Sequence, residues 1–251
     1  MIYEWDLTIP ELSGDKKRRA YLYLPDSYFT NPAQRFPVMY MFDGHNVFFN
    51  CDATYGKCWG MAQYLQRTKK PLIVVAVECN HEGNRRLIEY SPVDFENATL
   101  GKIRGKGRTY MNWLIKTLKP AVDAHLRTLP DRSHTYICGS SMGGLMSLYA
   151  PVHYNRFFQR AACLSPSVWV SPEKLASMIA KSRMQSDTQI YMDYGSRELY
   201  NHDTNTEALV GVMDQLLRKQ VNLTFRIVPG GTHSEASWEK QIPMFMDCLQ
   251  I

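Results

Sequence analysis

Residues 134–144 read His-Thr-Tyr-Ile-Cys-Gly-Ser-Ser-Met-Gly-Gly, and this stretch is the most informative part of the sequence about the fold. A short apolar run at 135–138 enters a G-x-S-x-G turn centred on Ser141, and an apolar helical pattern at 142–150 follows it. A strand that reverses into a helix within about one residue lifts the serine hydroxyl above the edge of a sheet. Flanking glycines leave room where a Cβ would clash. The stretch therefore predicts a strand–turn–helix unit with a nucleophilic serine at its apex.

Short apolar runs and helical patterns alternate along the rest of the chain. Two runs at the start alternate polar with apolar residues, as at a half-exposed antiparallel edge, whereas later runs are continuously apolar, as in parallel strands covered on both faces. The expected strands are 3–9, 19–24, 37–42, 72–77, 135–138, 160–164, 189–194 and 223–228, and the expected helices are 110–126, 142–150, 172–182, 205–219 and 234–249. We expect an α/β fold with a mostly parallel, doubly wound sheet of about eight strands, antiparallel strands at its start and helices on both faces.

Two features interrupt this regular pattern. Pro120 lies inside the longest helical pattern and predicts a kink or break there. Residues 78–107 show little periodicity, and a long segment of this kind is often a substrate-binding loop.

Length and composition restrict the class of protein. The 251 residues, 45% of them hydrophobic, can form one large core, and we expect a single domain over residues 1–251. The longest apolar run, 71–77, is far shorter than the ~20 residues of a membrane span. The first residues show no basic segment followed by an apolar one, so we expect a cytoplasmic protein with reduced cysteines.

The net charge of +5 does not indicate a nucleic-acid-binding protein. One basic run, 16–19, leads straight into an expected strand, and the other, 102–108, is glycine-rich. Neither is interleaved with aromatic residues, so both are interpreted as solvated turns or loops. We expect a small-molecule substrate, no nucleic acid and no membrane partner, and we leave open a homo-oligomer.

A serine hydroxyl needs a base to take its proton, and His233 is the best candidate among seven histidines. It lies in residues 228–234, Val-Pro-Gly-Gly-Thr-His-Ser, between the last expected strand and the last expected helix. In hydrolases whose serine lies on such a strand–turn–helix unit, the chain order is serine, acid and then histidine. Among the histidines, only His233 lies in this final loop.

The acid of the triad should follow the penultimate strand. Glu198 lies in the loop after it and could accept the second N–H of the histidine, which fixes the tautomer and stabilises the imidazolium. Asp193 lies inside the strand and Asp203 comes later in the chain. We favour Glu198 and keep both aspartates as alternatives.

Two backbone amides are expected to form an oxyanion hole. The N–H of Met142, directly after the serine, lies at a helix N-terminus. The second donor should come from the loop after the third strand, residues 41–46, where Gly44 permits the turn and the N–H of His45 is our choice. Asp43 is expected to hold this loop by hydrogen bonds.

The motifs also carry a family resemblance. The stretches that carry it are 40–46, 139–144, 164–167, 194–198 and 230–233 with Trp238, in one order over nearly the whole chain. In these stretches the chain resembles the esterase D-type family of α/β-hydrolases, which includes enterochelin esterases, feruloyl and acetylxylan esterases, and mycolyltransferases. The resemblance implies an α/β-hydrolase fold, a Ser141, Glu198 and His233 triad, oxyanion amides at Met142 and His45, and no metal or cofactor.

Aromatic side chains are the candidates for binding substrate. Trp59, Trp169 and Tyr200 are the expected substrate-binding residues, although each alone is better explained by ordinary packing. Other aromatics and arginines near the same loops are further candidates: Phe48, Phe49, Tyr55, Arg85 and Arg86.

These features together predict a serine carboxylesterase. It would hydrolyse a short-chain or aryl ester of the acetyl or feruloyl type, including esters of carbohydrates, through an acyl-enzyme on Ser141. An acyltransferase or a thioesterase could use the same triad, because pocket shape and water exclusion select the acceptor. A non-catalytic interaction protein on the same fold is a third alternative.

Overall fold

The computed structural model describes residues 1–199 and 203–251, and its main feature is an eight-stranded sheet. The strands of this sheet are β1 (Ile2–Thr8), β2 (Lys17–Tyr23), β3 (Val38–Met41), β4 (Ile73–Val77), β7 (Thr135–Ser140), β8 (Arg160–Leu164), β9 (Gln189–Gly195) and β10 (Asn222–Val228). A separate antiparallel hairpin holds β5 (Phe95–Asn97) and β6 (Gly101–Ile103).

The strand order across the sheet is β1-β2-β4-β3-β7-β8-β9-β10. Strand β2 pairs antiparallel with β1 and with β4, and all later pairs are parallel. This arrangement confirms the expected mostly parallel sheet with an antiparallel start. The strand boundaries differ from the expected ones by at most two residues at each end, the usual uncertainty of a pattern-based prediction.

The α-helices of the described residues flank the sheet. They are α1 (Pro10–Ser13), α2 (Ser27–Thr30), α3 (Met61–Thr68), α4 (Arg85–Glu89), α5 (Gly107–Trp113), α6 (Lys119–His125), α7 (Met142–His153), α8 (Pro172–Lys181), α9 (Ser196–Leu199), α10 (Asp203–Arg218), α11 (Glu235–Glu239) and α12 (Ile242–Cys248). None of these helices combines the length and the apolar character that crossing a membrane requires.

Strand β3 shows how both faces of the sheet are covered. Val38 and Tyr40 belong to one buried layer, which is completed by α5, α6, α7, α8 and α10. Met39 and Met41 belong to the opposite layer, which is completed by α3, α11 and α12. Because alternate side chains enter different layers, a strand in this position must be apolar throughout.

The helical stretch that contains Pro120 continues rather than ending. A π-helical turn at Leu114–Leu118 joins α5 to α6, and Pro120 is the second residue of α6. Proline has no N–H and its ring crowds the carbonyl of the preceding turn, so a wider turn directly before it relieves both problems. The irregularity was expected, but its position lies one turn earlier than the proline itself.

Parallel pairing brings the ends of β3, β4, β7, β8, β9 and β10 to one edge of the sheet. The register places Met41 beside Cys138, and Leu164 beside Asp193. The segments that follow these strands therefore meet above a single edge, where ligands bind in open α/β sheets. All of the candidate catalytic residues lie in these segments.

The tight turn at the end of β7 depends on glycine. A Cβ on Gly139 would lie 2.7 Å from the carbonyl carbon of Gly143. We therefore expect Gly139→Ala to lower the free energy of unfolding by about 1–3 kcal/mol, measured by urea denaturation. Gly211→Ala is the matched control, because a Cβ there meets no atom within 4 Å and a helix favours alanine by up to about 1 kcal/mol. Equal losses in the two variants would contradict this reading of the turn.

Candidate active site

Ser141 adopts a strained backbone conformation at the turn between β7 and α7. Its φ of 57° and ψ of −123° are rare for a residue with a side chain and cost about 1–3 kcal/mol. Three backbone hydrogen bonds hold the residue there. Its N–H donates to Leu164 O at 2.9 Å, and its carbonyl accepts from Leu145 N at 2.9 Å and from Ser167 N at 3.0 Å. Hydrogen bonds to the neighbouring strand and to the loop that follows it thus hold Ser141 in this strained conformation.

The structure brings Glu198 and His233 together. His233 Nδ1 lies 2.7 Å from Glu198 Oε2, while Glu198 Oε1 accepts from the N–H of Gly195 at 2.9 Å and from the hydroxyl of Ser165 at 2.8 Å. Burial raises the pKa of Glu198, but the hydrogen bonds and charge of these partners, His233 first, outweigh burial and hold that pKa below its ordinary value. The carboxylate is therefore ionised at neutral pH and oriented toward the imidazole.

Trp238 contacts both Ser165 and His233 and so supports the pair of Glu198 and His233. Its indole N–H donates to Ser165 Oγ at 3.0 Å, and its ring meets the His233 ring edge to face, with centroids 5.0 Å apart. One tryptophan therefore fixes the serine that orients Glu198 and also restricts the tilt of the imidazole.

Asp193, the alternative acid, has a different environment. It is buried, and the Tyr191 hydroxyl donates to it at 2.8 Å. Burial is the largest effect and, with the nearby charge of Glu198, raises the pKa of Asp193 to about 7. No hydrogen bond joins Asp193 to a histidine in the described part of the chain. The side chain of Asp203 lies outside that part.

Ser141 and His233 border the same cleft, whose volume is about 380 Å³. The Ser141 hydroxyl lies 3.5 Å from that of Ser167, and within the described residues no hydrogen bond joins it to His233. The cleft is lined by Asp43, His45, Asn46, Thr54, Tyr55, Cys79, Asn80, His81, Gly83, Arg86, Ser140, Ser141, His233, Glu235 and Trp238.

The two expected oxyanion donors occupy suitable backbone positions. Met142 is the first residue of α7, so its N–H has no acceptor within the helix. His45 lies in a 3₁₀ turn, Gly44–Asn46, directly after β3. The His45 side chain is buried, and burial lowers its pKa, which favours the neutral imidazole. These features suit a main-chain role for His45 better than a role as a second base.

An ion pair fixes the loop that carries His45. Arg86 donates to both carboxylate oxygens of Asp43, at 2.7 and 2.8 Å, and its guanidinium lies 5.5 Å from the centroid of the Tyr90 ring. Burial raises the pKa of Asp43, but Arg86 more than compensates and the net shift is downward. Asp43 has a left-handed φ of 54°, so this pairing also stabilises an uncommon backbone conformation. Holding the loop is the role that the sequence indicated for Asp43.

The expected substrate-binding aromatics are not brought together at the cleft. Trp59 is 3% exposed and packs against Trp238, within the buried layer on the α3 side of the sheet. Trp169 packs edge to face against Phe95. Neither tryptophan lines the cleft, and each ring packs against another aromatic side chain instead. Tyr200 lies outside the described residues.

Several residues at the site carried no assigned role in the sequence interpretation. Ser165 and Ser167 follow β8, and their position after a parallel strand beside β7 was an available signal. Glu235 is buried, lines the cleft and accepts from Asn46 Nδ2 at 3.2 Å. Its contact with Asn46 spans 189 positions, which no local pattern reveals.

The ion pair between Arg86 and Asp43 gives a stability prediction. Arg86→Met would leave a buried carboxylate without its cation, so we expect a loss of about 2–3 kcal/mol in the free energy of unfolding. This is less than for a wholly buried pair because the Arg86 side chain is 30% exposed. The control is the exposed neighbour, Arg85→Met, which should change stability by less than about 0.5 kcal/mol. Urea denaturation of both variants checks this, and similar losses would refute the assigned contact.

Comparisons with known proteins identify the family. The model of the Esterase family, described as "Putative esterase", matches residues 13–246. The uncharacterized protein YbbA of Bacillus subtilis (strain 168) is 28% identical over 187 residues, which are 72% of this chain and 69% of that protein.

Solved structures share the fold at low sequence identity. An IroE-like serine hydrolase from Shewanella oneidensis has a TM-score of 0.76 and 19% identity, with 100% of this chain and 79% of that chain covered. A ferulic acid esterase has a TM-score of 0.71 and 16% identity, with 99% and 98% covered. Identities this low establish the shared fold alone. Because the family model spans most of the chain, this protein belongs to the Esterase family, the esterase D-type group of α/β-hydrolases that its motifs resemble, and it is an ester hydrolase.

Proposed function

We propose that this ester hydrolase is a serine carboxylesterase that works through an acyl-enzyme on Ser141. The observation that carries the proposal is the 2.7 Å contact between His233 Nδ1 and Glu198 Oε2. With Nδ1–H donated to the carboxylate, the lone pair of the imidazole is on Nε2, the atom that must take the serine proton. This geometry gives His233 the tautomer of a general base.

In the acylation step, Ser141 Oγ attacks the ester carbonyl as its proton passes to His233 Nε2. The Ser141 hydroxyl must first rotate from Ser167 toward the imidazole. Hydrogen bonds between a catalytic serine and its base are often formed fully only when substrate binds. The backbone N–H groups of Met142 and His45 donate hydrogen bonds to the carbonyl oxygen and stabilise the negative charge that develops on it. The imidazolium then protonates the leaving alcohol, and the acyl group stays on Ser141.

In the deacylation step, the same groups act on water. His233 takes a proton from a water molecule, whose oxygen attacks the acyl carbon. The imidazolium then returns a proton to Ser141 Oγ as the acyl–oxygen bond breaks, which releases the acid and regenerates the free serine. The His233 side chain is 48% exposed, so water reaches the base readily. This exposure favours hydrolysis over acyl transfer, which needs water to be excluded from the acyl-enzyme.

The substrate in this proposal is a short-chain or aryl ester of the acetyl or feruloyl type, including esters of carbohydrates. A cleft of about 380 Å³ is at the small end of ligand-binding sites and is suited to a compact acyl group. Asn46, Thr54 and Asn80 give the cleft wall hydrogen-bonding groups, which suit a polar alcohol portion such as a sugar. The fold shared with a ferulic acid esterase is consistent with this class.

The acyl-enzyme proposal predicts that activity depends on Ser141. Ser141→Ala should lower turnover by up to about 10⁶-fold, as loss of the nucleophile does in other serine hydrolases. Initial rates on nitrophenyl acetate, butyrate and octanoate, methyl ferulate and an acetylated sugar measure this and report the preferred acyl group. Turnover that persists in Ser141→Ala would refute the proposal, and a preference for octanoate would refute the short-chain or aryl assignment.

The different environments of Glu198 and Asp193 predict different kinetic effects. Glu198→Gln should lower turnover by roughly 10²–10⁴-fold, because a neutral amide cannot stabilise the imidazolium. Asp193→Asn should cost less than about tenfold, since a carboxyl group whose pKa is about 7 is about half protonated at neutral pH and asparagine resembles its neutral form. Rates on nitrophenyl acetate, with circular dichroism as a folding check, compare the two. A larger loss in Asp193→Asn would transfer the acid role to that residue.

A further inference from the structure

Three potential metal ligands meet on one wall of the cleft. The Cys79 thiol lies 3.9 Å from His81 Nδ1, and the His45 and His81 rings have centroids 4.5 Å apart. The ligand atoms of these three residues all lie within 4.8 Å of one another. The proximity follows from the fold, because His45 follows β3, Cys79 and His81 follow β4, and these two strands are parallel neighbours.

His45 supplies an independent observation. Its side chain is buried, and its Nδ1 has no hydrogen-bond partner among the described residues, whereas Nε2 lies 3.1 Å from Thr54 Oγ1. An unpaired buried nitrogen is unfavourable, so a group that would bind it is favoured. The proposed ester chemistry uses only the main-chain N–H of His45, and it uses neither Cys79 nor His81.

We propose that His45, Cys79 and His81 form a binding site for a thiophilic divalent cation, of which zinc is the representative. One thiolate and two imidazole nitrogens are the donors that zinc prefers, and three protein ligands leave a fourth position for water. Binding forms a metal–sulfur bond as the Cys79 thiol proton passes to solvent, with no change in oxidation state. The imidazoles bind through nitrogen lone pairs.

The dimensions and charges of the cleft suit such an ion. Metal–ligand bonds of about 2.0–2.3 Å in a tetrahedron bring the ligand atoms to about 3.3–3.8 Å from one another, so the cluster must contract by about 1 Å. His81 is exposed and can make this movement. The carboxyl group of Glu235 lines the same cleft and favours a cation there, whereas Arg86 already balances the charge of Asp43.

Cobalt binding to the full-length, reduced, untagged protein tests the site directly. Co²⁺ should give a thiolate-to-cobalt charge-transfer band and intense visible bands of a four-coordinate ion at one equivalent, and Zn²⁺ should abolish both by displacement. Cys79→Ser should remove the charge-transfer band. His81→Ala, a change at an exposed residue that should not disturb folding, should weaken cobalt affinity at least about tenfold.

Two control variants change the same types of residue at positions outside the cleft. Cys51→Ser removes an exposed cysteine and His125→Ala removes an exposed histidine, and both should bind cobalt as the parent protein does. Circular dichroism confirms that each variant is folded. A missing charge-transfer band in the parent protein, unchanged binding in His81→Ala, or loss of the band in Cys51→Ser would overturn the proposal. These readouts do not depend on ester hydrolysis, so they are independent of the proposed function.

Discussion

The parallel pairing of β7, β8 and β9 is the constraint on which the candidate site depends. The ladder does not stop where the strands end. Ser141 N donates to Leu164 O, and Ser165 N donates to Asp193 O, each at 2.9 Å, so the hydrogen bonds continue into the segments that carry chemistry. Ser141 and Ser165 both have positive φ values, which only a rigid surrounding structure maintains. The sheet thus provides the stability that compensates for strain at its edge.

Two carboxyl groups near the end of β9, Asp193 buried and Glu198 partly buried, show how hydrogen bonding separates the properties of similar side chains. Burial raises the pKa of both. Glu198 accepts three hydrogen bonds, one of them from an imidazole that becomes a cation, and its pKa falls below the ordinary value. Asp193 accepts from a neutral tyrosine and its pKa rises to about 7. The number and charge of donors, rather than depth alone, therefore distinguish the two groups.

Local patterns in the sequence predicted the fold well because burial on both faces requires continuous apolar runs, and the G-x-S-x-G turn requires glycine. They also indicated Glu198 and His233, since each follows a strand whose end must lie at the site edge. The role of Trp59 could not be predicted, because the side chain of an aromatic residue in a loop is equally suited to packing in a core and to lining a cleft. The pair of Asp43 and Arg86 spans 43 positions, and such contacts leave no periodic signal.

The segment between β4 and α5 is irregular in sequence, yet a buried ion pair anchors it. Arg18 on β2 contacts Glu89 at 2.8 Å, with side chains only 4% and 3% exposed, and Glu89 also accepts from the N–H of Asn80 at 2.7 Å. A buried pair adds little net stability but strongly disfavours arrangements that separate it. Asn80 and Arg86 line the cleft, and both precede Glu89 in the same segment of the chain. The buried pair therefore ties this part of the cleft wall to the central sheet through β2.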